Sequence, residues 1–444
     1  MARRTKRKEK PSRRASGVDI VLVDRCDSSA AFLAYRLGRE RGVSVSHCAD
    51  AEGLAAVLSD EAKRYVLAVV DLDQPRVAVE EVCGLLSAHG LPTLFVADAI
   101  RKEMRDFLAC QALAGIVEKA GSYACEDVFS AILRLLDNRE VGILLVGEKS
   151  AACSRLAIRL GHQMHPIATA ESASEAMAHL DADARIGVMV LDLAHSEDGG
   201  AALLGQIRER SKLQTLRIIG LGAAGTKDQA IAGLKAGADE VIVEPFTPEE
   251  FDLRLNRHVR TAQQTRCLRD LAERDFLTGL YNRRHFFDEG PRRVAAAHAA
   301  VPPIPLALAL IDLDHFKRLN DSYGHDLGDQ VLREVASRLK QQAGTTHLVA
   351  RLGGEEFGML LSGLPLQEAR TFCDAICQSF AEIPIATECG ALTVTVSIGL
   401  AKIDGVAMFD RNLNAADRLL YIAKHQGRSQ VICEGEDDSC TAVA

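Results

Sequence analysis

The sequence predicts a multidomain α/β chain: two similar parallel-sheet domains in tandem, followed by a third α/β domain of different design. Two observations carry this. Short, continuously apolar strands alternate with Ala/Leu-rich segments of helical spacing, and the set recurs at intervals of roughly 120 residues over the first 260. Beyond that point the strand spacing changes, and acidic pairs and a double glycine appear at strand ends. Continuous apolar strands suit sheets covered on both faces.

Asp19–Asp24 reads as the first strand and Gly142–Glu148 as its echo. Val66–Asp71 and Gly187–Asp192 form the next matched pair, each ending in aspartate. Gly115–Lys119 and Asp239–Glu244 close the two modules, with helices such as Ala51–Ser59 and Ser172–Leu180 between. In open parallel sheets, ligands gather beyond the carboxyl ends of the strands. Asp24, Asp71 and Lys119 all stand there. They read either as solvated ends or as a converging pocket in which a carboxylate accepts a phosphoryl group and Lys119 stabilises its charge. Each module resembles the receiver domain of response regulators, with a flavodoxin-like fold. The resemblance makes Asp71 the phosphoacceptor, Asp24 a pocket acid, and a cognate histidine kinase or phosphotransfer protein the partner. Module one has Ala97 at the usual Thr/Ser position and Ala120 after Lys119; Pro75 follows Asp71 as expected. Module two departs further, with Gly147, Gly222 and Glu244 at pocket positions, and reads as a degenerate receiver used for contact.

Phe251–Leu271 has helical spacing among many charges and reads either as a surface helix or as a dimer-forming stalk. The expected boundaries are a basic arm at 1–16, receivers at 17–139 and 140–260, a helical linker at 261–275, the third domain at 276–436 and a tail at 437–444.

The third domain opens with Asp275–Arg284, a charged turn leading into a helix that ends at the Pro-rich loop 301–305. Leu306–Asp314 is a strand ending in two acids, and Asp312 and Asp314, two apart, share a face. Residues 321–329 are expected as a turn before a helix at Gln330–Gln342, and Thr393–Gly399 as a later strand. Between strands at 347–352 and 357–361 lies Gly353-Gly354-Glu355-Glu356. Paired glycines permit a tight turn, and two acids at its tip repel each other. Asp312 and Glu355 therefore suggest a Mg²⁺ site beside a glycine surface open to a phosphate ester, with Lys317, Lys424 and Arg428 as cations for a triphosphate.

The segments D-F-L-T-G-L-Y-N-R-R, I-D-L-D-H-F-K-R-L-N and G-G-E-E-F together resemble GGDEF domains over residues 275–433. With two receivers ahead, the chain resembles the PleD-type response regulators, which are diguanylate cyclases. The resemblance implies a palm-like α/β nucleotidyl cyclase domain with a mainly antiparallel sheet, joining two GTP into cyclic di-GMP within a homodimer. By position it gives Asp312, Glu355, Glu356 and the Leu313 carbonyl to Mg²⁺, with Mn²⁺ as an alternative ion, and Glu355 the added role of base. Lys317 is catalytic. Asn320, Asp329 and His325 lie on the guanine and substrate side, with Gly353, Gly354, His315, Phe316, Lys424 and Arg428 along the phosphates. The inhibitory product motif R-x-x-D is replaced by Gly344-Thr-Thr-His347, so feedback through it is expected to be weak or absent. The alternative is a catalytically silent sensor of GTP or cyclic di-GMP serving as a scaffold, and the retained Asp312, Lys317 and Glu355 oppose it.

Composition sets the outer limits. The 444 residues carry 53 Lys/Arg against 61 Asp/Glu, a net charge of −8 that disfavours general nucleic-acid binding. No long apolar run provides a transmembrane segment or a secretion signal, so a cytoplasmic address is expected. The 12 cysteines are scattered, with no C-x-x-C pair, and Cys373 and Cys377 read as core packing. Residues 1–16 hold eight Lys/Arg. They read either as a solvated arm or as a contact for anionic lipid or nucleic acid.

Overall fold

A computed structural model describes residues 18–60, 62–73, 76–99, 113–119, 124–147, 151–193, 200–210, 213–223, 227–387, 390–403, 405 and 409–435. The basic arm, Pro75, Ala120, Glu148 and the tail fall outside the described residues. The chain forms two compact units, Met1–Thr265 and Arg266–Ala444. No helix among the described residues is long and apolar enough to cross a membrane.

The first unit contains two five-stranded sheets. The first runs β1 (Asp19–Val23), α1 (Asp27–Arg41), β2 (Ser44–Cys48), α2 (Ala51–Leu58), β3 (Tyr65–Asp71), α3 (Arg76–Ala88), β4 (Thr93–Ala97), β5 (Leu113–Glu118) and α4 (Ala124–Asn138). Its strands lie in the order β2-β1-β3-β4-β5, all parallel. The second comprises β6 (Gly142–Val146), α5 (Ala151–His162), β7 (Ile167–Ala170), α6 (Ala173–Ala182), β8 (Ile186–Asp192), α7 (Ala201–Glu209), β9 (Arg217–Gly222), α8 (Lys227–Ala236) and β10 (Glu240–Val243). Its order, β7-β6-β8-β9-β10, repeats the first. This is the flavodoxin-like winding expected, with strands buried on both faces. Helix α9 (Pro248–Glu273) buries Phe251, Leu255 and Val259 in the second core and continues without interruption to Glu273.

The second unit is built on one six-stranded sheet of order β11-β13-β14-β12-β17-β18. Its elements are β11 (Tyr281–Asn282), α10 (Arg283–Ala299), β12 (Leu306–Leu313), α11 (Phe316–Tyr323), α12 (His325–Ala343), β13 (Leu348–Gly353), β14 (Glu356–Ser362), α13 (Leu366–Glu382), the small hairpin β15 (Ile385–Thr387) and β16 (Gly390–Leu392), β17 (Val396–Lys402), α14 (Phe409–His425) and β18 (Val431–Cys433). The three central pairings are antiparallel and the two outer ones parallel. Along β12, side chains alternate between faces. Ala307, Ala309, Ile311 and Leu313 pack with α12 and α13, where Cys373 and Cys377 also lie buried. Leu306, Leu308 and Leu310 pack with residues of α10 and α14. The parity that sends Leu310 toward α14 sends Asp312 the same way.

Two local expectations are corrected. Residues 321–329 are mostly helical: α11 ends at Tyr323 and α12 starts at His325, with only Gly324, at φ +86°, breaking the run. A glycine in this conformation turns the chain at low cost, so two helices meet where a long turn was expected. The strand expected at Thr393–Gly399 is Val396–Lys402, because pairing with β12 begins at Val396. The helix after the opening turn begins at Arg283, capped by the Asn282 side chain accepting from His285 N.

Candidate active site

The site in the second unit grows from two neighbouring strands. In the β12–β14 register, Asp312 sits directly opposite Glu356, one residue from Glu355 in the turn. Like charges facing each other across strands are unfavourable. Asp312 is 5% exposed, and burial pushes its carboxyl up to about 6, with Glu355 and Glu356 adding to the rise. Against this stands Lys424, near the end of α14, whose Nζ is 2.8 Å from Asp312 Oδ2. Cations suit the end of a helix, so Lys424 is placed both by its helix and by its partner.

The turn is held from behind. Gly354 adopts φ +49°, a left-handed conformation that favours glycine. Its carbonyl accepts from Arg351 Nε at 3.0 Å and Nη2 at 2.8 Å, and Arg351 Nη1 donates to Asp275 Oδ1 at 3.0 Å. The same Asp275 oxygen accepts from the Thr278 N–H and hydroxyl. Burial works to raise the Asp275 carboxyl, but Thr278 and Arg351 outweigh it and hold it below its ordinary value. The opening D-x-L-T-G turn and the glycine turn are thus joined through Arg351, a link the sequence reading missed.

Asp314 is the other corrected emphasis. It accepts from the Thr395 and Ser397 hydroxyls, both at 2.7 Å, and from Ser429 N at 3.1 Å. Its hydrogen bonds hold the start of β17 and the segment after α14, whereas Asp312 faces Lys424.

The remaining expected residues lie on or beside α11 and α12. His315, at φ +58°, precedes α11; Phe316 is buried beneath it, and Lys317 is exposed. Asn320 Oδ1 is buried without a hydrogen-bond partner and lies tight against Gly328, where a Cβ would strike it. His325 and Asp329 occupy the first turns of α12, His325 exposed and Asp329 half-buried. Arg428 is exposed in the segment following α14.

A divalent cation is implied by the resemblance, and the donor set fits one. Asp312 and Glu356 supply hard carboxylate oxygens on facing strands, Glu355 adjoins them in the turn, and Lys424 is the nearby counter-charge. Among the described residues, no three His, Cys, Asp or Glu side chains form a ready-made metal cage, so any ion there would draw on backbone or ligand oxygens as well.

In the first unit, a cavity of about 200 Å³ opens at the carboxyl ends of β1, β3 and β5, lined by Asp24, Cys26, Ser29, Asp71, Lys119 and Cys125 among others. Lys119 Nζ donates to Asp71 Oδ2 at 2.9 Å and to Asp73 Oδ2 at 2.7 Å. Burial opposes its charge, but Asp73 and Asp71 outweigh it and hold Lys119 above its ordinary value. Asp24 is buried, which raises its carboxyl. The expected trio does converge, and Asp73, unnoticed in the sequence, joins it. The Cys26 thiol is brought down to about 7, first by hydrogen bonding with Ser28 and then with Ser29. In the second sheet, Asp192 is buried at the matching strand end, and Glu244 is exposed where a lysine was looked for.

Comparison with known families matches two segments of the chain. Residues 272–430 match the family described as diguanylate cyclase, GGDEF domain, and residues 143–256 match the response regulator receiver domain. Residues 272–430 are thus similar to a GGDEF domain and residues 143–256 to a receiver domain. The receiver match falls on the second module, whose pocket residues depart further from the family pattern. Response regulator PleD of Caulobacter vibrioides is 28% identical over 307 residues, which cover 67% of this chain and 66% of PleD. Diguanylate cyclase DgcM of Escherichia coli is 40% identical over 166 residues, covering 37% of this chain and 39% of DgcM. The chain thus spans under two thirds of PleD's length, and far less of DgcM's. A solved structure of a putative two-component system response regulator/GGDEF domain protein is 25% identical, with TM-score 0.47, covering 55% of this chain and 99% of that one.

Proposed function

We propose that this chain is a diguanylate cyclase, condensing two GTP into cyclic di-GMP and two pyrophosphates under control of its receiver modules. The observation that carries the reading is the placement of Asp312 opposite Glu356 and beside Glu355, an acidic excess that Lys424 alone offsets. Asp312, Glu355, Glu356 and the Leu313 carbonyl would hold Mg²⁺ or Mn²⁺. That ion would supply Lewis-acid neutralisation of phosphate charge.

The protein's own groups do the rest. Asn320 Oδ1 is a buried acceptor awaiting a donor, and Asp329 is a second acceptor on the adjoining helix. The guanine edge presents two neighbouring N–H donors, which suit that pair. His315, Phe316, Gly353 and Gly354 flank the phosphates, the glycines allowing close approach, and His325 stands on the substrate side. Glu355 takes the proton from the ribose 3′-hydroxyl as its oxygen bonds to the α-phosphorus of the second nucleotide. The bond from that phosphorus to the bridging oxygen breaks, and pyrophosphate leaves with its charge offset by Lys317, Lys424 and Arg428. Two such bonds between two nucleotides require two domains facing each other across a two-fold axis.

In the first module, Asp71 is the phosphoryl acceptor from a cognate histidine kinase or phosphotransfer protein, beside Asp24 and Lys119. Phosphorylation raises the effective concentration of catalytic pairs. The test is incubation of the full chain with GTP and Mg²⁺, with chromatography for cyclic di-GMP. Product whose yield per chain falls on dilution supports the reading. GTP binding without product, at any protein concentration, overturns it in favour of a silent sensor.

A further inference from the structure

The cavity at Asp71 carries two thiols that the reading above does not use. Cys26 immediately precedes α1, and Cys125 lies in the first turn of α4; both line the cavity wall. Cys125 Sγ donates to Ser29 Oγ at 3.8 Å, and Ser29 Oγ donates to Cys26 Sγ at 3.3 Å. Ser28 Oγ is 3.1 Å from the same Cys26 sulfur. The Cys125–Ser29–Cys26 donor chain runs toward Cys26, and a Ser28 hydroxyl able to donate lies beside the same sulfur, an arrangement that favours a thiolate there. A single hydroxyl separates the two sulfurs. The other described cysteines lack this setting: Cys48, Cys83, Cys153, Cys373, Cys377 and Cys433 are buried, and Cys267 is exposed on α9.

We propose that Cys26 and Cys125 are a redox-modification site, joined by hydroperoxide into a reversible disulfide that closes the mouth of the Asp71 cavity. The Cys26 thiolate attacks one peroxide oxygen. The S–O bond forms, the O–O bond breaks, and the departing hydroxide takes a proton to become water. Ser29 turns aside, and the Cys125 sulfur attacks the sulfenic sulfur. The S–S bond forms, the S–O bond breaks, and the sulfenic hydroxyl leaves with the Cys125 proton as a second water. Two thiols have lost two electrons, and the peroxide has gained them. The bridge ties the start of α1 to the start of α4 across the cavity that Asp71 lines, and on this proposal it narrows the approach to Asp71. This last consequence rests on Asp71 being the acceptor; the bridge itself does not.

The experiment treats the full chain with hydrogen peroxide, then maps peptides by mass spectrometry with and without reductant. A Cys26–Cys125 linked peptide that reductant removes, that Cys26→Ser and Cys125→Ser each abolish and that Cys267→Ser leaves intact, is the expected result. A sulfenic or sulfinic acid on Cys26 with no linked peptide overturns the proposal. The same oxidised and reduced samples are then offered acetyl phosphate. Labelling of the reduced form alone supports closure, and equal labelling of both overturns it. If neither form is labelled, the acceptor reading of Asp71 and the closure both fall, while the linked peptide alone decides the bridge.

Discussion

The Lys424 ammonium and the Asp312 carboxylate meet at 2.8 Å on the face of β12 turned toward α14. The pair places a cation beside a buried acid at the end of the central strand. The acid remains uncomfortable even so, since burial still lifts it to about 6 despite the lysine.

That discomfort has a pH signature. The Asp312 carboxyl titrates higher in the folded protein than its ordinary 3.8. Its stabilising contribution is therefore complete below that value and is lost as pH rises through about 6. In chelator, Asp312→Asn should raise stability at about pH 7.5 by about 2 kcal/mol and make little difference at about pH 4. Paired thermal melts at the two pH values check this; equal effects at both would contradict it. The same substitution should remove cyclic di-GMP synthesis.

Glu355→Gln keeps the shape of the turn and removes the proton acceptor. Turnover of GTP should fall at least ~10²-fold with the melting temperature almost unchanged. Product chromatography beside a thermal melt separates loss of chemistry from loss of fold.

Gly399→Ala tests the packing beneath the site. A Cβ at Gly399 would run into the Ala416 carbonyl and the Leu420 N–H, both backbone atoms of α14 that cannot rotate away. Destabilisation of about 3 kcal/mol is expected from such overpacking, read as a lower denaturation midpoint.

In the first module, Asp71→Asn should abolish labelling by a small phosphodonor. Asp73→Asn should preserve it, because Lys119 keeps its 2.9 Å contact with Asp71 when the 2.7 Å contact to Asp73 is lost. Acid-quenched labelling of the two variants distinguishes acceptor from neighbour.

Product inhibition should not act through residues 344–347. His347 Nδ1 accepts from Ser362 N at 3.1 Å, and its ring packs edge-on against Phe372, so the position is engaged within the fold. Cyclic di-GMP titrated into the turnover assay should give no noncompetitive component that His347→Ala alters.

The winding of both parallel sheets was legible because buried strands advertise themselves by apolar runs ending in acids, as Val66–Asp71 does. The glycine turn was legible because Gly353-Gly354 permits backbone conformations that side chains forbid, which suits a tight turn. What could not be read was which acids spend themselves on hydrogen bonds. Asp312 and Asp314 look alike two residues apart, yet one faces Lys424 and the other ties down Ser429. Asp73 and Arg351 were missed for a related reason: their partners, Lys119 and Asp275, are remote in sequence and meet them only in the fold. The helices on either side of Gly324 were hidden by polar residues that suit turns and helix starts equally.

Arg351 gives the second unit an unusual mechanical economy. One guanidinium clasps Asp275, two residues beyond the end of α9, and the Gly354 carbonyl at the tip of the glycine turn. Any shift of Asp275 therefore bears directly on the backbone of the glycine turn through Arg351.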